Sequence, residues 1–245
     1  MRLSVLTPTL NRRCSFLPRC LESVRRQVGQ TFTYEHIVID DGSTDGTWDY
    51  LKELETFDAH IKAVRTDTSS KQAHALNCGL RRATGDLILP LDDDDLLLPR
   101  SLRIHSDFME ARLQVDWSFG DAVLIDDQDR LLCAVRPTQV PSDDDSLDPQ
   151  GLFEVLIRCN RLVNGAVVIR RSALLDVGGW DERVSCQDWA LWLRLAHERK
   201  RHMRNPAYLS CYRLHPDQLS ARHSQDGTWE SDHRYFLQRY GRLNA

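Results

Sequence analysis

Four consecutive aspartates, Asp92 to Asp95, directly follow the apolar run LILPL. Carboxylates this close to one another repel unless something positive neutralises them. A hard divalent cation does so, because Mg²⁺ or Mn²⁺ takes oxygen ligands and keeps its remaining positions for water and phosphate oxygens. A second acidic run, Asp143 to Asp145, lies among proline and serine and follows no predicted strand, so we interpret it as a solvated loop. We therefore predict a cation site at the first run and none at the second.

Polar residues also follow two other predicted strands. The first strand leads into residues 7–11, Thr-Pro-Thr-Leu-Asn, and the second into residues 40–46, Asp-Asp-Gly-Ser-Thr-Asp-Gly. In an open parallel sheet, ligands bind at the carboxyl ends of the strands. We therefore predict that both segments and the first aspartate run meet at one edge of a sheet and form a ligand site there.

The elements that would position these residues alternate between strands and amphipathic helices. This alternation predicts an α/β fold with a mostly parallel sheet covered by helices. Strands are predicted at Leu3–Thr7, His36–Asp40, Ile61–Arg65 and Leu87–Leu91. Apolar residues at helical spacing lie between them, within 17–28, 48–54 and 73–83.

Beyond the fourth strand the pattern is less regular. Shorter strands of mixed direction are predicted at Trp117–Phe119, Ala122–Ile125 and Leu131–Val135, after a helix that begins at Pro99. The polar segment Pro141–Pro149 is predicted to be a loop and a boundary between two halves of the chain. The second half is predicted to contain helices at Leu152–Arg158, at Asp188–Glu198 and from Thr228, and strands at Ala166–Arg170 and Tyr208–Arg213.

Composition limits the kind of protein. Hydrophobic residues make up 41% of the 245 residues and charged residues 28%, as in an ordinary globular protein. The formal net charge of -4 gives no basic excess, which argues against nucleic acid as the partner. Seven cysteines without a C-x-x-C pair argue against a disulfide framework and a zinc ribbon.

The sequence contains no pattern that predicts export or a membrane span. The apolar run within MRLSVLTPTLNRR is too short for a signal peptide, and no stretch approaches the roughly 20 apolar residues of a spanning helix. We therefore expect a protein of the reducing cytoplasm whose contact with a membrane is at most peripheral, at its inner face.

Common nucleotide-binding motifs are also missing from the sequence. No G-x-G-x-x-G follows the first strand, and no G-x-x-x-x-G-K-[ST] occurs anywhere. The aspartates do not have the spacing of an EF-hand either. These observations argue against a dehydrogenase, a P-loop ATPase and an EF-hand protein.

Four segments, in this order, resemble glycosyltransferase family two: LSVLTPTLNR, HIVIDDGSTDGT, ALNCGLRRATGDLILPLDDDDLLLP and GGWDERVSCQDWALWLRLA. The resemblance runs from Leu3 to Asp126 and again from Asn164 to His215. It implies the GT-A fold, a Rossmann-like, mostly parallel sheet flanked by helices, with a smaller mixed sheet on the acceptor side. It also implies one catalytic domain over 1–245, with a nucleotide-sugar-binding half at 1–135 and an acceptor-binding half at 150–245.

The family's nucleotide contacts carry over to the first two strand ends. Thr7, Pro8 and Asn11 would line the nucleotide pocket, and Asp40 and Asp41 would recognise the base, most often uracil in this family. A purely structural role in a turn stays open for both aspartates, because the serine and threonine at positions 43 and 44 are good N-cap residues for the next helix.

A family asparagine close to the donor sugar is matched by Asn77. The glycine-containing segment that precedes this asparagine in the family is replaced here by Ser69-Ser70-Lys71-Gln72. The resemblance therefore leaves the identity of the donor sugar open.

The two acidic positions of the family's D-x-D motif are occupied by Asp92 and Asp94. The resemblance implies that Asp94 binds the metal, Mn²⁺ or Mg²⁺, while Asp92 reaches the ribose or the water shell of the metal. Asp93 fills the variable position beside the nucleotide, and Asp95 is expected to bond the backbone. The cation would hold the diphosphate and stabilise the negative charge that develops on it.

The candidate for the base that deprotonates the acceptor hydroxyl is Asp188. It matches the second residue of a Glu-Asp pair in the family, and the first residue of that pair is Gln187 here. A purely structural role stays open, because an aspartate at a helix N-terminus also interacts favourably with the helix dipole.

Five further residues are assigned from their positions near these motifs. Trp180 lies in the loop before Asp188 and is the predicted platform for sugar stacking, whereas Trp189 and Trp192 share one helical face and are predicted to be core. Arg213 would clamp phosphate, and His215 would contact the metal or phosphate.

The resemblance implies an inverting transferase that moves a sugar from a nucleoside-diphosphate sugar, with UDP-sugar favoured, to an acceptor hydroxyl. The acceptor would be a saccharide or a lipid-linked saccharide in the synthesis of a bacterial surface polysaccharide or glycolipid. A sugar-phosphate nucleotidyltransferase stays open as an alternative, although residues 9–13 are a poor version of its glycine-rich basic loop. A catalytically inactive binding module is the other alternative, and the intact Asp92, Asp94 and Asp188 argue against it.

Overall fold

The computed structural model describes residues 1–27, 32–66, 71–137 and 149–241. The strands are β1 Arg2–Thr9, β2 Thr33–Asp40, β3 Ile61–Arg65, β4 Leu87–Pro90, β5 Leu96–Leu97, β6 Trp117–Ile125, β7 Leu131–Val135, β8 Val167–Arg170 and β9 His202–Arg213. The helices are α1 Leu17–Arg25, α2 Thr47–Phe57, α3 Gln72–Arg82, α4 Ser101–Glu110, α5 Pro149–Leu156, α6 Arg171–Asp176, α7 Gln187–His197, α8 Leu219–Gln225 and α9 Thr228–Tyr240, and a 3-10 turn spans Asn164–Ala166. Within these described ranges, no helix is long and apolar enough to cross a membrane.

Two of the segments discussed above lie outside the described residues. They are most of the predicted boundary loop, at 141–148, which includes the second aspartate run, and Ser69-Ser70. The division of the chain into two halves therefore stays a prediction.

The strands of the described chain form one sheet in the order β3-β2-β1-β4-β8-β6-β9-β5, with β7 beside β6. β1 pairs in parallel with β2 and β4, and β2 pairs in parallel with β3. Residues 3–9 of β1 are all buried, as expected for a strand covered by helices on both faces. The predicted α/β class, with a mostly parallel sheet flanked by helices, is confirmed.

The second half of the chain continues this sheet with strands of mixed direction. β8 is antiparallel to both β4 and β6, whereas β9 is parallel to β6. The two short strands predicted at 117–119 and 122–125 are one strand, β6, whose register with β9 shifts near Gly120. A Cβ at Gly120 would lie 2.3 Å from a leucine side chain of β9, so the close approach requires glycine. β9 begins at His202 rather than at Tyr208, because pairing with β6 supports a segment that has no apolar alternation.

Helix α7 is fixed between the sheet and α5 by its two tryptophans, which are both buried as predicted. The Trp192 ring stacks on Trp117 of β6, with centroids 5.8 Å apart and planes at 7°. The Trp189 Nε1–H donates to the Leu156 carbonyl of α5 at 2.7 Å. These contacts determine where the first turn of α7, and therefore Asp188, lies relative to the strand ends.

A buried carboxylate holds the amino-terminal part of the sheet together. Glu35 of β2 accepts hydrogen bonds from Ser4 Oγ at 2.6 Å and from the Thr84 N–H at 2.7 Å, and it pairs with Lys62 of β3. Burial alone would raise the pKa of Glu35, but Lys62 and these hydrogen bonds outweigh burial and lower the pKa to about 2. The charged form of Glu35 therefore connects β1, β2, β3 and the turn that leads into β4.

Glu35→Gln is expected to lower the free energy of unfolding at pH 7 by about 1.5–3 kcal/mol, the usual range for hydrogen bonds to a charged group. Because the folded-state pKa lies below the unfolded value, this stabilisation is present above about pH 4.3 and is lost as the pH falls towards 2. Urea denaturation at pH 7 and at pH 3 measures the difference. The exposed Glu53→Gln on α2 is the control and should change little at either pH. An equal loss at both pH values would contradict the assigned role of the charge.

Candidate active site

The aspartate run lies in the turn after β4, at the carboxyl edge of the parallel strands. Two amides hold Asp92, since Gln72 Nε2 donates to Oδ1 at 2.6 Å and Asn164 Nδ2 donates to Oδ2 at 3.0 Å. Thr9 Oγ1, at the end of β1, donates to Asp93 Oδ2 at 2.6 Å. The sheet therefore brings the first strand end and the aspartate run together, as predicted.

Burial and mutual repulsion make these carboxylates hard to ionise together. Burial, followed by repulsion from Asp94, raises the pKa of Asp92 to about 7, and the same causes raise the pKa of Asp93 to about 7. Burial and Asp94 also raise the pKa of Asp95, whose Oδ1 accepts the Arg213 N–H at 2.8 Å. The expected backbone bond of Asp95 is thus present. Positive charge added at this turn would stabilise the ionised carboxylates.

Asp94 faces a histidine that follows the last strand. His215 Nε2 lies 2.9 Å from Asp94 Oδ2, and the ring packs against Phe16 with 4.6 Å between centroids. Two ligands in adjacent positions of an octahedral cation, with bonds of about 2.1 Å, lie about 3 Å apart. The separation and the donor atoms of Asp94 and His215 therefore fit a divalent cation.

The described residues contain no group of three or more His, Cys, Asp or Glu side chains that could hold a metal ion. In that part of the chain, Asp94 and His215 form a pair of candidate ligands. Cations held by so few protein groups take their other ligands from water and substrate phosphates. In this structure the contact is a hydrogen bond, and a cation site at this pair stays a prediction.

Arg213 has its partners within the protein, and its predicted role as a phosphate clamp stays a prediction. The Arg213 side chain is buried, its Nε donates to the Asp94 carbonyl at 2.6 Å, and its Nη1 donates to the Asp126 carbonyl at 2.9 Å. Nη1 also pairs with the Asp129 carboxylate, and the guanidinium packs over the Phe16 ring at 4.6 Å. Arg213 therefore supports the aspartate turn from within the protein.

Both aspartates at the second strand end are buried and have structural partners. Asp40 Oδ1 accepts the Ser43 N–H at 3.1 Å, and Asp40 Oδ2 lies 3.1 Å from Arg65 Nε. Asp41 Oδ1 accepts the Thr66 hydroxyl at 2.8 Å. These contacts support the structural alternative, and a role of either aspartate in recognising a base stays a prediction.

Asn11 joins the first two strand ends. Its N–H donates to Ser43 Oγ at 2.8 Å, and its Oδ1 accepts the Thr44 N–H at 2.8 Å. Its φ of 55° is left-handed, a conformation that asparagine tolerates. The predicted N-cap at Ser43 or Thr44 is wrong, because α2 begins at Thr47 and the Asp45 carboxylate accepts the Thr47 N–H at 3.0 Å.

The side chains of Thr7 and Pro8 point into the protein, and the predicted place of these residues in the nucleotide pocket stays a prediction. Both residues are buried inside β1, and Thr7 Oγ1 lies 2.9 Å from His36 Nε2. Burial lowers the pKa of His36 to about 3, so this contact involves a neutral imidazole. β1 ends at Thr9 rather than at the predicted Thr7, which moves the strand end two residues along the chain.

Asn77 and Trp180 also have partners within the protein, and their predicted ligand contacts stay predictions. Trp180 is only 2% exposed and belongs to the core, so it offers no surface for stacking. Asn77 Oδ1 accepts the Trp180 N–H at 2.9 Å, while Asn77 Nδ2 donates to the Trp180 carbonyl at 3.0 Å and to Glu182 Oε1 at 2.8 Å. A Cβ at Gly179, whose φ is 72°, would lie 2.5 Å from Asn77 Oδ1. Asn77 therefore holds the turn that contains Gly179 and Trp180.

Asp188 lies in the first turn of α7 and is partly buried. Its Oδ2 accepts a hydrogen bond from Asn160 Nδ2 at 2.8 Å. Burial raises the pKa of Asp188, although backbone N–H groups at the start of α7, Asn160 and His223 oppose the rise. The charge of Asp188 is one of the smaller causes that raise the pKa of Asp92. Gln187, at the first position of the family's Glu-Asp pair, is buried, and a contact of Gln187 with acceptor or phosphate stays a prediction.

Other residues border or support the site without belonging to a motif. Asp232 Oδ2 of α9 accepts the N–H groups of Ser185 and Cys186, each at 2.8 Å, and so fixes the start of α7. Arg12 Nε lies 3.9 Å from Asp93 Oδ1, and the Arg12 side chain is 22% exposed. Arg12 is therefore better placed than the buried Arg213 to contact a phosphate.

The chain is similar in sequence to curated glycosyltransferases. Over 200 residues it is 24% identical to the UDP-Glc:alpha-D-GlcNAc-diphosphoundecaprenol beta-1,3-glucosyltransferase WfaP of Escherichia coli, covering 81% of this chain and 73% of that protein. It spans 62% of the length of other curated relatives.

Two solved structures show the same fold. S. aureus TarS 1–349, in complex with UDP-GlcNAc, gives a TM-score of 0.67 at 17% identity over 89% of this chain and 60% of that one. The mannosyltransferase PcManGT of Pyrobaculum calidifontis, in complex with GDP-Man and Mn²⁺, gives 0.72 at 19% identity over 99% of this chain and 65% of that one.

The family comparison covers the segment that contains the first four parallel strands and the aspartate run. The model described as glycosyl transferase family 2 matches residues 4–129, just over half of the 245-residue chain. The fold, the strand-end site and this match agree, and the chain belongs to glycosyl transferase family 2.

Proposed function

We propose that this enzyme transfers a sugar from a nucleoside-diphosphate sugar to an acceptor hydroxyl, with inversion, in a single displacement that depends on a divalent cation. The observation that carries the proposal is the arrangement around Asp92. The Asp94–His215 pair offers cation ligands 2.9 Å apart, and Asp188 lies close enough to Asp92 to raise its pKa. A leaving-group site and a base therefore belong to one site.

The leaving-group side consists of Asp94, His215 and Arg12. A cation bound by Asp94 and His215 would neutralise charge that develops on the diphosphate. The imidazole ligand favours Mn²⁺ over Mg²⁺, which prefers oxygen ligands. Arg12, partly exposed beside Asp93, supplies a positive charge that can contact the phosphates.

The acceptor side consists of Asp188 and the groups that hold it. Asn160 donates to Asp188 Oδ2 at 2.8 Å and orients the carboxylate that would accept the hydroxyl proton. The pKa of Asp188 is raised by burial, and a base with a raised pKa is better matched to proton transfer near neutral pH. Attack by the deprotonated hydroxyl opposite the diphosphate would invert the anomeric centre.

The donor and acceptor classes rest on relatives. WfaP is named for a UDP-Glc donor and a diphosphoundecaprenol-linked acceptor, TarS was solved with UDP-GlcNAc, and PcManGT with GDP-Man. We favour a UDP-sugar, with Asn11, Asp40 and Asp41 near the base. We further propose a saccharide or lipid-linked saccharide acceptor, in the synthesis of a bacterial surface polysaccharide or glycolipid, at the cytoplasmic face of the membrane.

A thermal-shift screen of UDP, GDP, TDP and CMP, each with and without Mn²⁺, tests the donor site. A ligand that binds only the folded state at 100 times its Kd adds about 2.7 kcal/mol, which corresponds to about 5–10 °C for a chain of this size. We expect one nucleoside diphosphate, UDP, to produce such a shift and Mn²⁺ to enlarge it.

The other outcomes of the screen decide between the alternatives. A shift with GDP instead of UDP would change the donor class and keep the mechanism. No shift with any nucleotide would contradict the proposed function and favour a binding module. Activity with a nucleoside triphosphate and a sugar phosphate would instead identify a nucleotidyltransferase.

A further inference from the structure

The turn between β9 and α8 is closed by a backbone bond from the Gln218 N–H to the His215 carbonyl at 3.3 Å and by the buried side-chain amide of Gln218. Gln218 Oε1 accepts the backbone N–H of His215 at 2.8 Å. Gln218 Nε2 donates to the Tyr212 hydroxyl at 3.0 Å and to the Ser220 hydroxyl, and these two hydroxyls are 2.9 Å apart. One side chain therefore connects the end of β9, the histidine at the tip of the turn and the start of α8.

The imidazole of His215 needs a fixed orientation if its Nε2 atom is to remain beside Asp94 Oδ2. A metal-binding histidine usually obtains this orientation by donating its other ring N–H to a carboxylate or a carbonyl. The Nδ1 atom of His215 is buried and has no hydrogen-bond partner within the described residues. The ring is instead held by the contact of Nε2 with Asp94, by its packing against Phe16 and, through its backbone, by Gln218.

We propose that Gln218 is a positioning residue for the cation site, which holds the backbone of His215 so that Nε2 and Asp94 Oδ2 stay 2.9 Å apart. Gln218 does not touch the cation or the substrate. In other metal sites, a hydrogen bond from the second ring nitrogen orients the histidine. Here Gln218 orients His215 through a hydrogen bond to its backbone N–H. This inference rests on the proposed cation-dependent function.

The test is a Mn²⁺ titration followed by thermal shift, at a fixed saturating concentration of UDP, for the wild type and for Gln218→Met. Methionine has a similar length and cannot make any of the three hydrogen bonds. Loss of a group that orients a metal ligand typically weakens metal binding 10–100-fold, so the Mn²⁺ concentration at half the maximal shift should rise by about that factor. The shift that UDP causes without Mn²⁺ should stay the same, which a general loss of folding would not allow.

Ser220→Ala is the matched control in the same turn. It removes one partner of the Gln218 amide and keeps the bond to the His215 N–H. We therefore expect the Mn²⁺ concentration at half the maximal shift, here called the half-point, to stay within about threefold of the wild-type value. If Gln218→Met does not fold, Gln218→Asn, which is too short to span the turn, replaces it. An unchanged half-point in the folded variant, or an equal change in Ser220→Ala, would overturn the inference. A wild type that shows no effect of Mn²⁺ would instead count against the proposed function.

Discussion

Asp188→Asn is expected to lower kcat for sugar transfer by about 10²–10⁴-fold, the usual contribution of a general base. Asparagine has the shape of aspartate and cannot accept the proton of the acceptor hydroxyl. Burial raises the pKa of Asp188, which means that the ionised carboxylate is less stable in the folded protein than in the unfolded chain. Its replacement by a neutral amide should therefore not lower the melting temperature. Steady-state transfer assays and thermal unfolding of the same preparations provide the measurement.

Two comparisons make the test of Asp188 specific. The shift caused by UDP and Mn²⁺ should stay close to that of the wild type, because the proposed ligands of the cation are Asp94 and His215. Asp176→Asn, on the exposed end of α6, is the matched control and should keep full activity. Transfer retained within a few-fold by Asp188→Asn would exclude this residue as the base and favour its alternative role at the helix N-terminus.

Asp94→Asn is expected to abolish the Mn²⁺-dependent part of the UDP-induced shift and to lower transfer by at least about 10²-fold, as for loss of one group that stabilises a developing oxyanion. The amide removes one of the two charged or basic atoms that lie 2.9 Å apart in the candidate cation site. His215→Ala should act in the same direction, because it removes the other ligand. Mn²⁺ titrations with saturating UDP measure both effects.

The control for Asp94 comes from the second aspartate run of the sequence. Asp144→Asn has the same chemical change in a segment that we predict to have no cation site, and it should leave the Mn²⁺ response unchanged. If Asp94→Asn and His215→Ala both retained the wild-type response, the cation site would have to lie elsewhere, and the assignment of the D-x-D motif would be wrong.

The strand-end part of the site could be predicted from the sequence because parallel strands bring their carboxyl ends to one edge. Apolar runs located β1 to β4, and the positions of Asn11 and Asp93 beside the other strand ends follow from that topology. The Asp94–His215 pair was predicted only as two separate metal contacts from the family motifs. Its 2.9 Å geometry depends on the path of β9, which no local pattern contains.

A motif identifies a residue without giving its burial or its partners. Trp180 is buried in the turn after Gly179, and Asn77, on α3, bonds the backbone of that turn. Arg213 lies at a strand end, but its guanidinium finds carbonyl and carboxylate partners at Asp126 and Asp129, more than 80 residues earlier. Such distant partners are decided by tertiary packing.

The residues that sequence reasoning missed are mostly amides. Gln72, Asn160 and Asn164 hold the carboxylates of the site, at distances of 2.6 to 3.0 Å. A neutral amide leaves no charge pattern and no periodicity in the sequence. The departure of residues 69–72 from the family's glycine-containing segment was the one available signal, and it pointed to Gln72 without indicating its partner.

The Asp94–His215 contact joins residues that are 121 positions apart in the chain. Neither half of the protein can form the pair alone, because one partner follows β4 and the other follows β9, the last strand of the sheet. A nascent or truncated chain that already contains the whole D-x-D segment therefore still lacks half of the cation pair. If a cation binds at this pair as proposed, cation-dependent nucleotide binding requires both β4 and β9 to be in place.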